Sequence, residues 1–183
     1  MNNRILLIFP AIFLLFLSLL CGCTPETTTT SFSLPGGKEL PFNTVVHSSG
    51  GGLESYPGRS ANIQVLDKVQ SIDSIRWIYP RDSDRLRGVN YEKSFVVLLF
   101  NGYRGAIGMG LDFGIINIVQ KANAIYCLAH FDDGSKTVMP MVNSYYQGVE
   151  IERSQLTHGG DFHFIVFDDK GNERAKTQLD ISQ

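Results

Sequence analysis

The apolar run from Phe95 to Phe100 constrains the fold of this chain more than any other feature. A continuous apolar run of this length, bounded by glycine and polar residues, is typical of a buried strand. Two runs in which apolar and other residues alternate follow it, near Phe113 to Val119 and Ala124 to Phe131. Alternation of this kind is typical of strands with one buried face. The stretch from Val89 to Phe131 therefore predicts the central strands of a β domain.

Short strand-like runs separated by turn-forming residues continue through the rest of the chain. They predict a mainly β, α+β fold, with a curled or closed antiparallel sheet of about 7–10 short strands. Apolar residues recur at every third position from Leu66 to Ile78, which predicts one helix near residues 67–79. We expect Pro80 to end this helix, because a residue that precedes proline is disfavoured in the α region.

The amino terminus has the features of an export signal. Apolar residues run almost unbroken over Ile5–Leu20 after a short polar start, as in secretory signal peptides. The sequence Leu20-Cys21-Gly22-Cys23 resembles the lipobox of bacterial lipoproteins, and the resemblance implies cleavage before Cys23 and acylation of its thiol. The alternative is an uncleaved anchor helix, since the run is near the lower limit of ~17 residues for a membrane span. Pro10 and the small Gly22 favour cleavage.

Three segments are expected along the chain: a lipoprotein signal peptide at 1–22, a disordered tether at 23–38 and a single β-rich domain at 39–183. The tether is rich in Thr, Pro and Gly and cannot bury enough apolar surface to offset the entropy of ordering. From Thr24 to Gly37 it could span on the order of 45 Å when fully extended. The predicted location is the bacterial cell envelope, with the domain lipid-anchored on the extracytoplasmic side of a membrane.

Charge and cysteine content narrow the choice of partners. The formal net charge is −2, and it becomes −3 without residues 1–22, which hold one arginine and no acid. This balance does not suggest nucleic acid as a partner. With Cys21 removed and Cys23 acylated, Cys127 is the last thiol, so no intrachain disulfide is expected. Cys127 shares a strand face with apolar neighbours, and we predict a small buried hydrophobe rather than a nucleophile.

No group of side chains matches a known catalytic arrangement, so the sequence predicts no catalytic residues, no metal ligands and no cofactor. Asp161 and His163 stand two apart on a predicted strand and would share one face, but two ligands do not make a metal site. The run from Asp168 to Glu173 lacks the ligand spacing of a calcium loop, and a hairpin turn explains it better.

The glycine-rich segment from Gly102 to Gly114 is the best candidate for a contact surface. It has an unusual apolar content for a loop, and Tyr, Met and Arg are favoured at surfaces that face a partner protein. The alternative is that the glycines mark a bulge or a strand bend and the apolar residues belong to the core. The predicted contact residues are Tyr103, Arg104, Ile107, Met109 and Leu111.

Four short motifs carry a resemblance to a known family. Val89-Asn90-Tyr91 precedes an apolar strand that ends in glycine at Phe95 to Gly102, then comes a glycine-containing turn at Gly105 to Phe113, and later Asn143 to Tyr146. This order, from Leu40 to Ile151, resembles the PrcB-like domain of bacterial lipoproteins and secreted proteins, named after a protease-complex subunit. The resemblance implies a β-rich accessory domain outside the cytoplasm that supports protein complexes, and it implies no catalytic residues.

These features lead to three functional hypotheses. The first is a lipid-anchored, non-enzymatic accessory or binding protein, whose partners are the membrane, through lipid on Cys23, and an envelope or secreted protein. The alternative is a carrier that holds a small apolar ligand inside a closed β-barrel, suggested by the large apolar residues on both faces of Phe95 to Phe100. The third is a hydrolase built around Asp161 and His163.

Overall fold

The computed structural model describes residues 32–51, 58–102, 104–105, 113–131 and 142–181, all within one compact unit. The described elements, in chain order, are β1 (Lys38–Glu39), β2 (Asn43–Gly51), β3 (Asn62–Leu66), a 3-10 helix (Val69–Ser74), α1 (Pro80–Arg87), β4 (Ser94–Phe100), β5 (Arg104–Gly105), β6 (Gly114–Lys121), β7 (Ala124–His130), β8 (Val142–Glu152), a second 3-10 helix (Arg153–Gln155), β9 (Gly160–Asp168) and β10 (Glu173–Ile181). Among these residues, no helix has the length and apolar composition required to cross a bilayer.

The strands form two separate sheets. Sheet A has the order β1-β6-β7-β9-β10, and sheet B has the order β2-β8-β4-β3 with β5 paired to β8. The prediction of a mainly β, α+β fold is confirmed. The closed form of the predicted sheet is wrong, because the strands divide into two sheets that bury their inner faces against each other. The antiparallel prediction also fails at one pair, since β7 and β9 are parallel; the chain crosses through β8 of sheet B between them.

Strand β4 explains the apolar run, because both of its faces are buried. Phe95, Val97 and Leu99 lie in the core between the sheets, whereas Val96, Leu98 and Phe100 lie in a second core beneath the helices. All six side chains are 0% exposed. Side chains of the chain itself therefore pack against both apolar faces, and the sheets do not close into a barrel. The observation that suggested a ligand carrier has its explanation in these two cores.

The helix predicted near residues 67–79 is present, but it is shorter than predicted and lies inside that range. The structure has a 3-10 helix at Val69–Ser74, and a spacing of three residues matches the 3.0 residues per turn of a 3-10 helix. The α-helix begins where the prediction ended it, with Pro80 in its first turn. Proline is favoured there because the first helical residues have no intrahelical partner for their N–H groups and its fixed φ suits the helix.

A buried carboxylate fastens α1 to sheet B. Asp82 is 0% exposed, and its Oδ2 accepts hydrogen bonds from Ser48 Oγ at 2.6 Å and from the Tyr146 hydroxyl at 2.7 Å. Burial alone would raise the pKa of this carboxyl, but the two hydrogen bonds and the charges of Arg81 and Arg85 together outweigh burial and lower it. The carboxylate therefore stays ionised and links helix α1 to strands β2 and β8.

The domain includes residues that the sequence assigned to the tether. The ring centroids of Phe32 and Phe167 are 5.4 Å apart, and Lys38 is paired with Gln120 in sheet A. Residues 32–38 thus have a defined place on sheet A, while residues 23–31 lie outside the described part of the chain. Cys127 is buried as predicted, and burial raises the pKa of its thiol to about 12.

Candidate protein-binding surface

The two ends of sheet A differ in what surrounds them. At one end Gly114 is paired with His130, and the turn that joins β9 to β10 lies at residues 169–172. We call this the β9–β10 end. At the other end, Lys121 is paired with Ala124 across the turn that joins β6 to β7, and we call this the β6–β7 end. The candidate surface lies at the β9–β10 end.

A cleft of about 520 Å³ opens there between the edges of the two sheets. Strand β2 is an edge strand of sheet B. In sheet A the two-residue β1 pairs with β6 only at Val119 and Gln120, so β6 forms the edge of the sheet at the β9–β10 end. We call this opening the edge cleft. Its lining residues are His47, Phe113, Gly114, Ile115, Ile116, His130 and Gln147.

Gln147 of β8 joins the two sheets inside the edge cleft. Its Oε1 accepts a hydrogen bond from the backbone N–H of Ile115 at 2.6 Å, and its Nε2 donates to Thr44 Oγ1 at 3.2 Å. A Cβ atom on Gly114 would lie 2.9 Å from Gln147 Oε1. Glycine at this position therefore allows the two sheets to approach closely enough for the hydrogen bond.

Ile116 is the apolar ridge of this surface. Its side chain is 59% exposed, and among the described side chains it is the single large hydrophobic in the exposed class. The register of β6 against β7 shifts between Ile115 and Asn117, and the extra residue of such a bulge turns its side chain away from the regular alternation. Ile116 also borders a second groove of about 500 Å³, which is formed with Leu40, Pro41 and Phe42.

Aromatic packing holds the floor of the edge cleft. The ring of Phe113 lies 5.6 Å from that of Phe131 and 6.5 Å from that of Tyr145. The guanidinium of Arg174 lies 4.4 Å from the centroid of the Phe131 ring, a distance at which cations and aromatic faces attract. His130 at the rim makes an ion pair of 3.1 Å with Asp169 when its ring is protonated. These contacts hold Phe113 and His130, two of the residues that line the cleft, at the point where sheet A begins again after the glycine-rich segment.

The predicted site residues fall largely outside the part of the chain that the structure describes. Cys23, the predicted lipidation site, lies outside it, and so do four of the five predicted contact residues: Tyr103, Ile107, Met109 and Leu111. Arg104 lies in β5, where it is paired with Asn143 of β8. Both predictions therefore stay predictions, and the edge cleft is the described surface that adjoins the predicted segment.

Ile116 is the residue that sequence reasoning missed, although a signal for it exists. Apolar residues occupy positions 113, 115, 116 and 118, so the apolar face changes from odd to even numbers within one strand. In a regular strand alternate side chains point to opposite faces, and two adjacent isoleucines cannot both face the core. A bulge that turns Ile116 outward resolves this conflict.

The polar candidates from the sequence do not form a larger site. Asp161 and His163 are both exposed on β9, opposite Asp180 and Gln178 of β10. Within the described ranges, no group of three or more His, Cys, Asp or Glu side chains is placed to hold a metal ion. Asp168 accepts the backbone N–H groups of Lys170 and Asn172, as expected for a hairpin turn.

A larger groove of about 810 Å³ lies toward the β6–β7 end, where β4 begins and β8 ends. Its lining includes Arg153, whose Nε donates to the Tyr91 carbonyl at 3.2 Å and whose Nη2 donates to the Asp67 carbonyl at 3.0 Å. The side chain is only 9% exposed and connects three segments of the chain. This arginine is a structural element of the fold, and we assign the groove no binding role.

Comparison of the chain with protein-family models, with characterised proteins and with solved structures finds no match. The resemblance to the PrcB-like domain therefore stays a prediction that rests on the motifs themselves.

Proposed function

We propose that this chain is a lipid-anchored, non-enzymatic binding protein of the bacterial envelope. Its lipid is attached to Cys23, and its domain holds another envelope or secreted protein and so supports a protein complex. The proposal joins two independent features. The lipobox-like sequence at the amino terminus supports anchoring, and the edge cleft with its apolar ridge supports protein binding.

The exposed ridge at Ile116 is the observation that carries the binding part. Burying an exposed isoleucine is favourable by about 1.5–3 kcal/mol, so a surface isoleucine between two grooves is suited to contact with a partner. His47 and His130 add polar groups around the ridge, and a polar rim around an apolar centre is the usual anatomy of a protein interface. The bulge directs the side chain outward without disturbing the core beneath it.

Crosslinking in intact cells, followed by affinity isolation of the full chain, tests the binding part. We expect a defined partner with the natural chain and its loss with Ile116→Asp, because a carboxylate would have to be desolvated in the contact. Gln178→Asp is the matched control, since Gln178 is exposed on β10 and the change adds the same charge; its partner yield should equal that of the natural chain. A natural chain that yields no reproducible partner contradicts the proposal.

The anchoring part has a test of its own. Cys23→Ala should release the chain from the membrane fraction and leave the precursor uncut, whereas Cys21→Ala, two residues earlier, should leave both processing and fractionation unchanged. A Cys23→Ala chain that still fractionates with lipid refutes the assignment of Cys23.

A further inference from the structure

The segment at residues 32–37 lies across the outer face of sheet A, and we call it the strap. At its start, the Phe32 ring packs on Phe167 and lies 2.6 Å from where a Cβ on Gly171 would be. At its end, Gly37 lies against the Gln120 carbonyl and is followed by β1. The strap therefore enters the domain at the β9–β10 end and leaves it at the β6–β7 end.

The strap shortens the link between the proposed lipid and the domain. From Cys23 to Phe32 the chain has nine peptide steps, which span at most about 30 Å when fully extended. Strand β9, which runs between the two ends of sheet A, has nine residues and is itself about 30 Å long. A tether that enters at one end thus keeps that end within about 30 Å of the bilayer surface and allows the other end to lie farther away.

The edge cleft lies at the same end as the entry point of the strap. His130 lines the cleft and contacts Asp169 in the β9–β10 turn at 3.1 Å. Gly171 in the same turn is the residue beneath Phe32. The contact surface and the attachment of the tether are therefore joined through one four-residue turn, residues 169–172.

Charges at this end do not favour a lipid surface as the occupant of the cleft. Residues 168–174, which form the β9–β10 turn and its flanks, include three acids, Asp168, Asp169 and Glu173, and two bases, Lys170 and Arg174. Asp168 and Arg174 already form an ion pair at 3.2 Å. Attraction to anionic lipids requires a cluster of lysines and arginines, and this mixture is not such a cluster. A protein that lies close to the same membrane fits the surface better.

We propose that the strap orients the domain so that the β9–β10 end and the edge cleft face the membrane, and that the partner is a protein embedded in or anchored to that membrane. This inference rests on the proposed anchoring at Cys23 and adds the position and the class of the partner.

Distance from the bilayer at the two ends of sheet A tests the orientation. Lys170 in the β9–β10 turn and Lys121 at the β6–β7 end are both exposed, so Lys170→Cys and Lys121→Cys are matched in charge and accessibility. The buried Cys127 does not compete for a thiol-reactive dye. Each lipid-modified full chain is labelled and bound to phosphatidylcholine vesicles that contain a lipid-linked quencher. We expect a greater loss of emission from position 170 than from position 121.

The controls separate the possible failures. Phe32→Ala removes the ring from the strap. When it is combined with each labelled variant, the difference in loss of emission between positions 170 and 121 should become smaller. Ser33→Ala, combined in the same way, should leave that difference unchanged. Equal loss of emission at both positions, or a greater loss at position 121, contradicts the proposed orientation of the domain. Such a result would leave the proposed anchoring through Cys23 unaffected. No loss at either position instead contradicts anchoring through Cys23 and hence the proposed function itself.

The class of partner has a separate measurement. A cleavable crosslinker at Ile116→Cys of the full chain in cells should capture a protein that, after cleavage, stays in carbonate-washed membranes. Recovery of the partner in the soluble fraction contradicts a membrane partner. The same position labelled with a polarity-sensitive dye should show no blue shift on protein-free vesicles, and a blue shift there would identify the lipid surface as the occupant and overturn the proposal.

Discussion

Gln147 Oε1 accepts a hydrogen bond from the backbone N–H of Ile115 at 2.6 Å, so a side chain of sheet B supplies a hydrogen bond to a border strand of sheet A. The bond is made within the edge cleft, next to the bulge that turns Ile116 outward. Loss of this bond should loosen the border of the cleft before it affects the core.

The first prediction concerns Gln147→Ala. We expect a decrease of about 1–2 kcal/mol in the free energy of unfolding, because the buried N–H of Ile115 would lose its acceptor. Urea denaturation measures this change. Gln178→Ala removes an exposed glutamine from β10 and should change the free energy by less than about 0.5 kcal/mol. Equal effects of the two changes would show that the bond between the sheets does not stabilise the domain.

The second prediction concerns the close approach at Gly114. Gly114→Ala should decrease the free energy of unfolding by about 1–3 kcal/mol, because the new Cβ would lie 2.9 Å from Gln147 Oε1 and one of the two must move. Gly36→Ala is the matched control, since a Cβ on Gly36 has no heavy atom within 4 Å. A Gly114→Ala chain as stable as the Gly36→Ala chain would contradict the geometry of the cleft.

The third prediction concerns the pH dependence of stability at Asp82. The folded-state pKa of Asp82 lies below the ordinary value for an aspartate, so the ionised carboxylate contributes stability that is fully present above that ordinary value. The contribution is lost as the pH falls through the folded-state pKa. Asp82→Asn should therefore be less stable than the natural chain by about 2 kcal/mol at pH 7, and the difference should shrink toward pH 3.

The control for Asp82 lies two residues away on the same helix. Asp84 is exposed, and Asp84→Asn should change the free energy of unfolding at pH 7 by less than about 0.5 kcal/mol. Asp168 also has a lowered pKa, against the opposing effect of its own burial, because of hydrogen bonds from Asn172, Arg174 and Lys170. Protonation of Asp168 will therefore also decrease the stability of the natural chain in acid. The test is the difference in free energy of unfolding between the natural chain and Asp82→Asn at each pH, because Asp168 is present in both. A constant difference for Asp82→Asn from pH 7 to pH 3 would contradict the assignment.

The fourth prediction concerns the strap. Phe32→Ala should destabilise the docked strap by about 1 kcal/mol, since the half-buried ring loses its packing on Phe167. Hydrogen exchange should accordingly be several-fold faster at the amide of Leu40, which donates to the Ile118 carbonyl, if the strap and β1 open together. Ser33→Ala, at an exposed neighbour, should leave this exchange rate unchanged. Equal rates in both variants would show that Phe32 does not hold the strap.

Sequence patterns predicted some elements of this fold well and others poorly, for identifiable reasons. The run from Phe95 to Phe100 predicts a buried strand, but side-chain periodicity does not say what covers each face, so a barrel interior and two cores were equally compatible with it. The spacing of three from Leu66 to Ile78 predicts a helix, and the structure has a 3-10 helix over part of that range. The parallel pairing of β7 with β9 depends on contacts that are distant in sequence, and no local signal reports it.

The candidate site shows the same division between local and distant information. The composition of Gly102 to Gly114 predicts a contact surface in this segment, and the edge cleft adjoins it. Gln147 contributes to the cleft through a hydrogen bond across 32 residues, which periodicity cannot indicate. Ile116 could have been found, because the change of apolar face between Ile115 and Ile118 requires a bulge.

Photo-crosslinking in intact cells from position 116 of the full chain tests the central claim most directly. A photoreactive residue in place of Ile116 should give a discrete adduct with one envelope protein, and the same residue in place of Gln178 should give none. Adducts of equal pattern and yield at both positions, or none at position 116 in a correctly processed and membrane-bound chain, would contradict the assignment of the edge cleft as the binding surface.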